Sequence, residues 1–287
     1  MTKRVGKKDL IIQKMRIGID LGGTNIRMGI ADSGAIIRKI AEPCKANEEE
    51  DVVVNQLKDM IRQLMSPDIE SIGIGVPSVV DAEKGIVYNA MNIPSWKEVH
   101  LKDKLEKEFN IPVNVNNDCN CFALGEYHYG EAQGYSSVVA LGLGTGVGSG
   151  IVIDGKLYNG GNTGAGEIGS LPYLEYDYES YCSSSYFTRV HGTTGKEAYE
   201  KALKEDPEAL LVWKEAGHHI GNLMKAILFT YDPLIVVLGG SISNGYRFFS
   251  ESMMETMKTF PYPETVKRLK IAISTKEDIS LLGAAML

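Results

Sequence analysis

The sequence predicts an α/β chain built from two similar halves that face each other. Three observations predict it. A strand, a glycine turn carrying Gly-Thr, a return strand and a turn of the Asp-Gly kind occur at 17–34 and again at 139–155. This is one duplicated supersecondary unit rather than a short repeat array. Leu234 to Leu238 is wholly apolar, as a buried parallel strand should be. The 287 residues suffice for two domains of roughly 120 to 160 residues, each with its own core.

The elements follow in order. Ile17, Ile19 and Leu21 alternate with Gly18 and Asp20, a period-two pattern. Gly22-Gly23 turns the chain, and Ile26, Met28 and Ile30 alternate on the way back. A second turn at 32–34 leads into 35–40, giving an antiparallel meander. The spacing of Val53, Leu57, Met60, Ile61 and Leu64 predicts a helix over 47–65, with Pro67 beyond its end. A strand at 71–76, a helix at 101–109 and a strand at 112–115 complete the first half, and a helix to about Tyr129 follows the boundary near Asn116. Asn117 or Asp118 can cap that last helix. The second meander runs from Ser137 to the Asp154-Gly155 turn. A long amphipathic helix at 208–230, the strand at 234–238, a helix at 244–258, a strand at 271–274 and a helix at 279–287 follow.

Composition bounds the partners. The chain is 44% hydrophobic and 23% charged, ordinary values for a globular protein. Its formal charge of -7 provides no basic face, so nucleic acid would bind against the net field. Small anionic cofactors still can bind through local backbone dipoles and Mg²⁺. The Leu10-Ile11-Ile12 patch is too short for a secretory core or a membrane span. No C-x-x-C pair occurs among Cys44, Cys119, Cys121 and Cys182, and the expected setting is a reducing cytoplasm with free thiols. His100, His128, His191, His218 and His219 show no metal-ligand spacing.

Several segments can carry chemistry. In Asp20-Leu21-Gly22-Gly23-Thr24-Asn25 the glycines let backbone approach a ligand, and successive N–H groups can cradle phosphate oxygens. Asp20, at the strand end, can hold Mg²⁺ through water. A plain hairpin turn has the same composition. Leu143 to Gly150 alternates four glycines through a strand, so something must approach that face, and a polyphosphate fits. No Gly-Lys-Ser/Thr follows, and a strand rather than a helix comes next, which excludes a Walker loop and a dinucleotide fingerprint. Gly239-Gly240 lies between a buried strand and a helix, a nucleotide-binding place in α/β proteins or simply a tight connection. Asp118 can accept a proton from a hydroxyl attacking phosphorus. Glu167, bracketed by Gly164, Gly166 and Gly169, reads as a ligand to hydroxyls or as a solvated loop acid.

Together, Ile17 to Asn25, Gly73 to Pro77, Asn117-Asp118, Leu143 to Gly150, Gly164 to Gly169 and Leu238 to Gly240 resemble the ROK family of sugar kinases, within the actin-like ATPase superfamily. The resemblance runs from about Met15 to Leu287. It implies an α/β fold of two actin-like (ribonuclease H-like) domains with the active site in the inter-domain cleft. The expected division is an N-terminal extension at 1–14, an N-terminal domain at 15–116 joined by the C-terminal helix at 276–287, and a C-terminal domain at 117–275. It implies that Asp20, Gly22, Gly23, Thr24, Asn25, Gly144, Thr145 and Gly146 face the phosphates of ATP, with Gly239 and Gly240 by the nucleoside. Asp118 is then the general base, and Gly75, Asn92, Asn117, Asp118 and Glu167 hold the sugar.

Two departures bear on the substrate. The family usually has His directly after the Glu-x-Gly of the sugar site, where this chain has Ser170. It also carries a C-x-C-G-x-x-G-C-x-E zinc motif, where this chain reads Tyr181-Cys182-Ser183-Ser184-Ser185-Tyr186-Phe187. One cysteine cannot make a tetrahedral site, so no zinc is expected. Phe187 is expected in place of a second sugar-binding Glu. The expected activity is ATP- and Mg²⁺-dependent phosphorylation of a hexose, at its 6-hydroxyl, by a cytoplasmic homodimer without nucleic-acid or membrane partners. Glucose comes first, then fructose or an N-acetylated hexosamine such as N-acetylmannosamine. The competing readings are a sugar-sensing regulator without the winged DNA-binding region of the family's repressors, a catalytically dead sugar-binding protein, and an actin-like structural ATPase.

Overall fold

Ile17, Ile19 and Leu21 are fully buried on one face of β1 (Met15–Leu21), the outcome that their period-two spacing requires. The protein is described by a computed structural model over residues 15–287, and the expected extension at 1–14 lies outside the described residues. β1 pairs antiparallel with β2 (Asn25–Asp32), and β2 with β3 (Ala35–Pro43). Helix α1 (Glu50–Leu64) buries Val53, Leu57, Met60, Ile61 and Leu64, and β4 (Ile69–Val76) returns parallel to β1.

A side sheet of β5 (Val79–Asp81), β6 (Ile86–Tyr88) and β7 (Glu98–His100) then interrupts the repeat. The sequence pattern does not reveal it, because strands of three residues are too short to show alternation. Helix α2 (Leu101–Phe109) leads to β8 (Val113–Asn117), parallel to β4, which completes the order β3-β2-β1-β4-β8.

Helix α3 (Asp118–Tyr129) leaves this sheet, and the second half begins with the meander β9 (Ser137–Leu143), β10 (Val147–Ile153) and β11 (Lys156–Leu157). A hairpin of β12 (Pro172–Tyr173) and β13 (Tyr176–Asp177) precedes α4 (Tyr178–Cys182), α5 (Ser184–His191), α6 (Gly195–Ala202) and the long α7 (Pro207–Thr230). Strand β14 (Ile235–Gly239) is buried throughout and parallel to β9. Leu234, read as part of it, is 47% exposed and lies outside it. Helices α8 (Tyr246–Met257) and α9 (Pro263–Arg268), strand β15 (Lys270–Ile273) and helix α10 (Ile279–Ala284) end the chain. The second sheet has the order β11-β10-β9-β14-β15 and matches the first strand for strand.

The glycines in these strands have a packing cause. A Cβ on Gly18 or Gly73 would overlap the carbonyl oxygens of Leu281 and Ala284, because α10 lies directly on the first sheet. A Cβ on Gly150 would overlap the Cys119 carbonyl and come within 2.6 Å of the Ala123 methyl, and one on Gly148 would lie 2.7 Å from Cys119 Sγ. The face of β10 that sequence reasoning gave to a polyphosphate is therefore covered by α3. Each half thus rests a helix on its sheet with almost no gap, and α3 and α10 cross at Gly125 and Gly283.

Candidate active site

Three parallel strands of the first sheet end together. Asp20 of β1 sits beside Gly75 of β4, Gly75 beside Asn116 of β8, and Val76 beside Asn117. The carboxyl ends of parallel strands are where α/β proteins bind ligands, since the loops there can diverge. The strand-to-helix change at Asn117-Asp118 places the start of α3 at this edge. A Cβ on Gly75 would lie 3.4 Å from Asp118 Cα and 3.0 Å from Cys121 Sγ, so the missing side chain seats α3 against β4.

Of the two possible caps, Asn117 takes the position. Its Oδ1 accepts the N–H groups of Cys119 at 2.8 Å and Asn120 at 3.4 Å, while its Nδ2 donates to the Ser78 carbonyl at 3.2 Å. Asp118 Oδ1 shares the Cys119 N–H at 2.8 Å. Burial holds the Asp118 carboxyl above the ordinary aspartate range, and the nearby charge of Asp20 raises it further. Asp20 has a partner of its own: the cross-strand Arg27, whose Nε donates to Asp20 Oδ2 at 3.1 Å and whose Nη2 also reaches that oxygen.

The first glycine turn closes through Gly22 N–H to the Asn25 carbonyl at 2.9 Å and leaves Thr24 and Asn25 exposed. Gly23 abuts Asn92, whose Cβ occupies the space a side chain would need. The turn and Asn92, widely separated in sequence, are thereby neighbours. In the second half, Gly144 N–H donates to the Gly146 carbonyl at 3.0 Å and Thr145 is exposed. Gly239 pairs with Gly142 in register, and Gly240, at φ +84°, packs on the Leu143 backbone. The 144–146 turn and the 239–240 corner are therefore one surface.

Glu167 stands on a segment pinned to β10. Gly166 adopts φ +90° against Ser149, whose N–H and hydroxyl donate to the Gly166 carbonyl at 3.0 and 2.9 Å. Gly169 abuts Val147 in the same way. Gly166 and Gly169 thus allow close packing on β10, whereas a Cβ on Gly164 would meet nothing within 4 Å. Glu167 is an exposed residue, yet partial desolvation of its carboxyl raises its proton affinity, with smaller contributions from the charges of Asp118 and Glu179. The charge of Asp20 is thus felt at Asp118 on the same sheet edge, and that of Asp118 at Glu167 of the other half.

Sequence reasoning missed four polar partners. Arg27 was legible in principle, since the hairpin register sets it opposite Asp20. Glu179 Oε2 accepts the Val147 N–H at 2.8 Å, and Ser184 N–H donates to the Gly144 carbonyl at 2.8 Å, so the α4–α5 corner grips the second glycine turn from behind. Asn159 reaches Asn116 across the halves. No local pattern marks the last three. Phe187, expected where the family has a second sugar-binding Glu, is 1% exposed and packs on Trp213 at 4.8 Å between ring centroids. Ser170 is exposed at the end of the short 3₁₀ turn that follows Glu167.

Cys182 is buried beside a cluster of Tyr173, Tyr178, Tyr181, Tyr186 and His219. Among the described residues no group of three or more His, Cys, Asp or Glu could hold a metal ion. All four cysteines are free. No helix among the described residues is long and apolar enough to cross a membrane.

Known proteins resemble this chain over most of its length. The chain is 28% identical to a glucokinase of Thermotoga maritima, over 94% of this chain and 95% of that one. It is 31% identical to an N-acetylgalactosamine kinase of a Shewanella strain, over 80% and 82% of the two chains. The crystal structure of a ROK family glucokinase from Streptomyces griseus, in complex with glucose and AMPPNP, superposes with a TM-score of 0.81 at 26% identity, covering 95% of this chain and 98% of that one. The fold is the actin-like α/β fold. The ROK family model matches residues 16–287, and the chain belongs to the ROK family.

Proposed function

We propose that the protein transfers the γ-phosphoryl group of ATP to a hydroxyl of a hexose, the 6-hydroxyl, with Asp118 as general base. The observation that carries this reading is the placement of the Asp118 carboxyl. It is held at the carboxyl ends of three parallel strands, partly desolvated, with Asp20 on one side and Glu167 of the other half close enough to feel its charge. The raised proton affinity suits a group that takes a proton from a hydroxyl and releases it later.

The roles follow from position. The hexose hydroxyl oxygen attacks the γ-phosphorus, its proton passes to the Asp118 carboxylate, and the bond to the β-phosphate oxygen breaks to leave ADP. Asn117, fixed as the cap of α3 and bonded to Ser78, offers little freedom and so holds Asp118 in register. Gly75, Asn92, Asn117 and Glu167 line the sugar side. The turns at Gly22-Gly23-Thr24-Asn25 and Gly144-Thr145-Gly146 present backbone N–H groups to the phosphates, and Gly239-Gly240 the nucleoside side. Positioning and charge neutralisation supply most of the rate in such transfers.

Mg²⁺ fits this donor set in a limited way. On the phosphate side the site offers Asp20, already paired with Arg27, and no cluster of three or more ligands among the described residues makes a complete protein cage. That suits an ion held mainly by substrate phosphates and water, with Asp20 reached through water. Bound there, Mg²⁺ would neutralise phosphate charge.

We take 15–116 with 276–287, and 117–275, as the two bodies that close on the substrates. The packing of α10 on the first sheet and of α3 on the second supports this division. A cytoplasmic homodimer is the assembly that the family resemblance favours.

The test is a coupled ADP-release assay with Mg-ATP over glucose, fructose, N-acetylgalactosamine and N-acetylmannosamine. Turnover that depends on one of these sugars is expected. Sugar binding without turnover for every member would replace the kinase by a sensor.

A further inference from the structure

Three asparagine amides join the two halves beside the catalytic segment. Asn116 is the penultimate residue of β8, Asn120 lies in the first turn of α3, and Asn159 follows β11 in the second half. Asn116 Oδ1 accepts the Asn117 N–H and the Asn120 Nδ2 group, both at 2.8 Å. Asn116 Nδ2 donates to Asn159 Oδ1 at 3.0 Å, and Asn120 Nδ2 reaches the same oxygen at 3.5 Å. Asn116 and Asn120 are 4% and 5% exposed, so their donors need a protein acceptor. Asn159 supplies it although it is itself an exposed residue, with no packing reason to be there.

What Asn159 holds is the near end of the segment that carries Glu167. Between them lie Gly160, Gly161, Gly164 and Gly166, a backbone with little stiffness of its own. Its far end is fixed by Gly166 on Ser149. Its near end meets Asn116, whose other amide atom holds Asn117. One relay therefore runs from the Glu167 segment, through Asn159 and Asn116, to the backbone immediately before Asp118.

We infer that Asn159 is a positioning residue for sugar binding: through Asn116 it sets the Glu167 segment against the Asn117-Asp118 segment across the cleft. The inference rests on the kinase reading for its sugar, and on the structure alone for the relay. Because only Asn159 Oδ1 is used, an aspartate keeps the acceptor and an alanine removes it.

The test compares wild type, N159A and N159D. Hydrogen exchange without ligands reads the relay itself, and amides at 160–167 should exchange faster in N159A, with N159D close to wild type. Steady-state kinetics reads the consequence with whichever panel sugar is turned over. N159A should raise the sugar KM about fivefold to tenfold, within the range that one hydrogen bond is worth. The ATP KM and kcat should stay within about twofold, and N159D should recover most of the loss. Unchanged loop exchange in N159A overturns the relay whatever the protein's activity. An unchanged sugar KM in an active N159A, or equal rises in both KM values, overturns its role in sugar binding and leaves the kinase reading standing. If no sugar is turned over, calorimetric titration with each sugar of the panel takes the place of KM, and a wild type that binds none of them overturns both the sugar role of Asn159 and the kinase reading.

Discussion

Gly125 of α3 and Gly283 of α10 lie where the two helices cross, each against the backbone of the other. A Cβ on Gly125 would overlap the Ile279 carbonyl, and one on Gly283 the Cys121 carbonyl. Since α10 rests on the first sheet and α3 on the second, this crossing is the joint between the halves. Backbone cannot retreat as a flexible side chain can. G283A should therefore lower stability by about 1–3 kcal/mol, the usual cost of overpacking, as read by urea denaturation. G161A, where a Cβ meets nothing within 4 Å, is the control and should stay near wild type.

The raised carboxyl of Asp118 sets a pH dependence. The base must be ionised, so kcat/KM should rise with pH through a value above the ordinary aspartate range. Part of the displacement comes from the charge of Asp20, so D20N should move the remaining acid limb to lower pH while reducing the rate. A pH profile of kcat/KM for both proteins checks the direction.

The same displacement predicts a stability effect of opposite sense to activity. A carboxyl raised in the fold binds its proton more tightly folded than unfolded, so stability falls as pH rises between the two values. At neutral pH the ionised Asp118 is therefore a burden on the fold. D118N should lose activity yet melt at or above the wild-type temperature near pH 7, and a lower melting temperature would contradict this account of the site.

His219 gives the complementary case on the acid side. Burial, and then the neighbouring His218, Arg189 and His191, lower its pKa to about 4. The neutral ring shares a hydrogen bond with the Tyr173 hydroxyl at 3.1 Å, and that oxygen accepts from Asn222 Nδ2 at 3.0 Å. An unfolded histidine protonates near its ordinary value of about 6.5, so this contribution is whole above that pH and is lost as pH falls towards about 4. Melting temperatures measured across that window should fall less steeply in H219Q than in wild type.

Much of this was legible in the sequence, and the limits have physical causes. Period-two spacing located β1 and β2, and the second meander, β9 and β10, showed itself as a repeat of the first. Duplication of the meander foretold two sheets of the same order. The cap at Asn117 remained open beside Asp118, since either side chain can accept the same N–H groups and only the fold decides. The strand glycines were seen to need a close neighbour, but the neighbour at Gly148 and Gly150 is α3, because backbone approached by helix and by phosphate needs the same bare residue. Glu179 and Asn159 act through contacts 32 and 43 residues distant in sequence, and no local pattern announces such contacts.

The most direct test of the central claim is sugar-dependent ADP release by D118A at saturating Mg-ATP and sugar. Loss of a positioned base predicts a fall in kcat of roughly 10²–10⁴-fold, with sugar binding retained in calorimetry. A D118A protein that keeps wild-type turnover would contradict the assignment of Asp118 as the base.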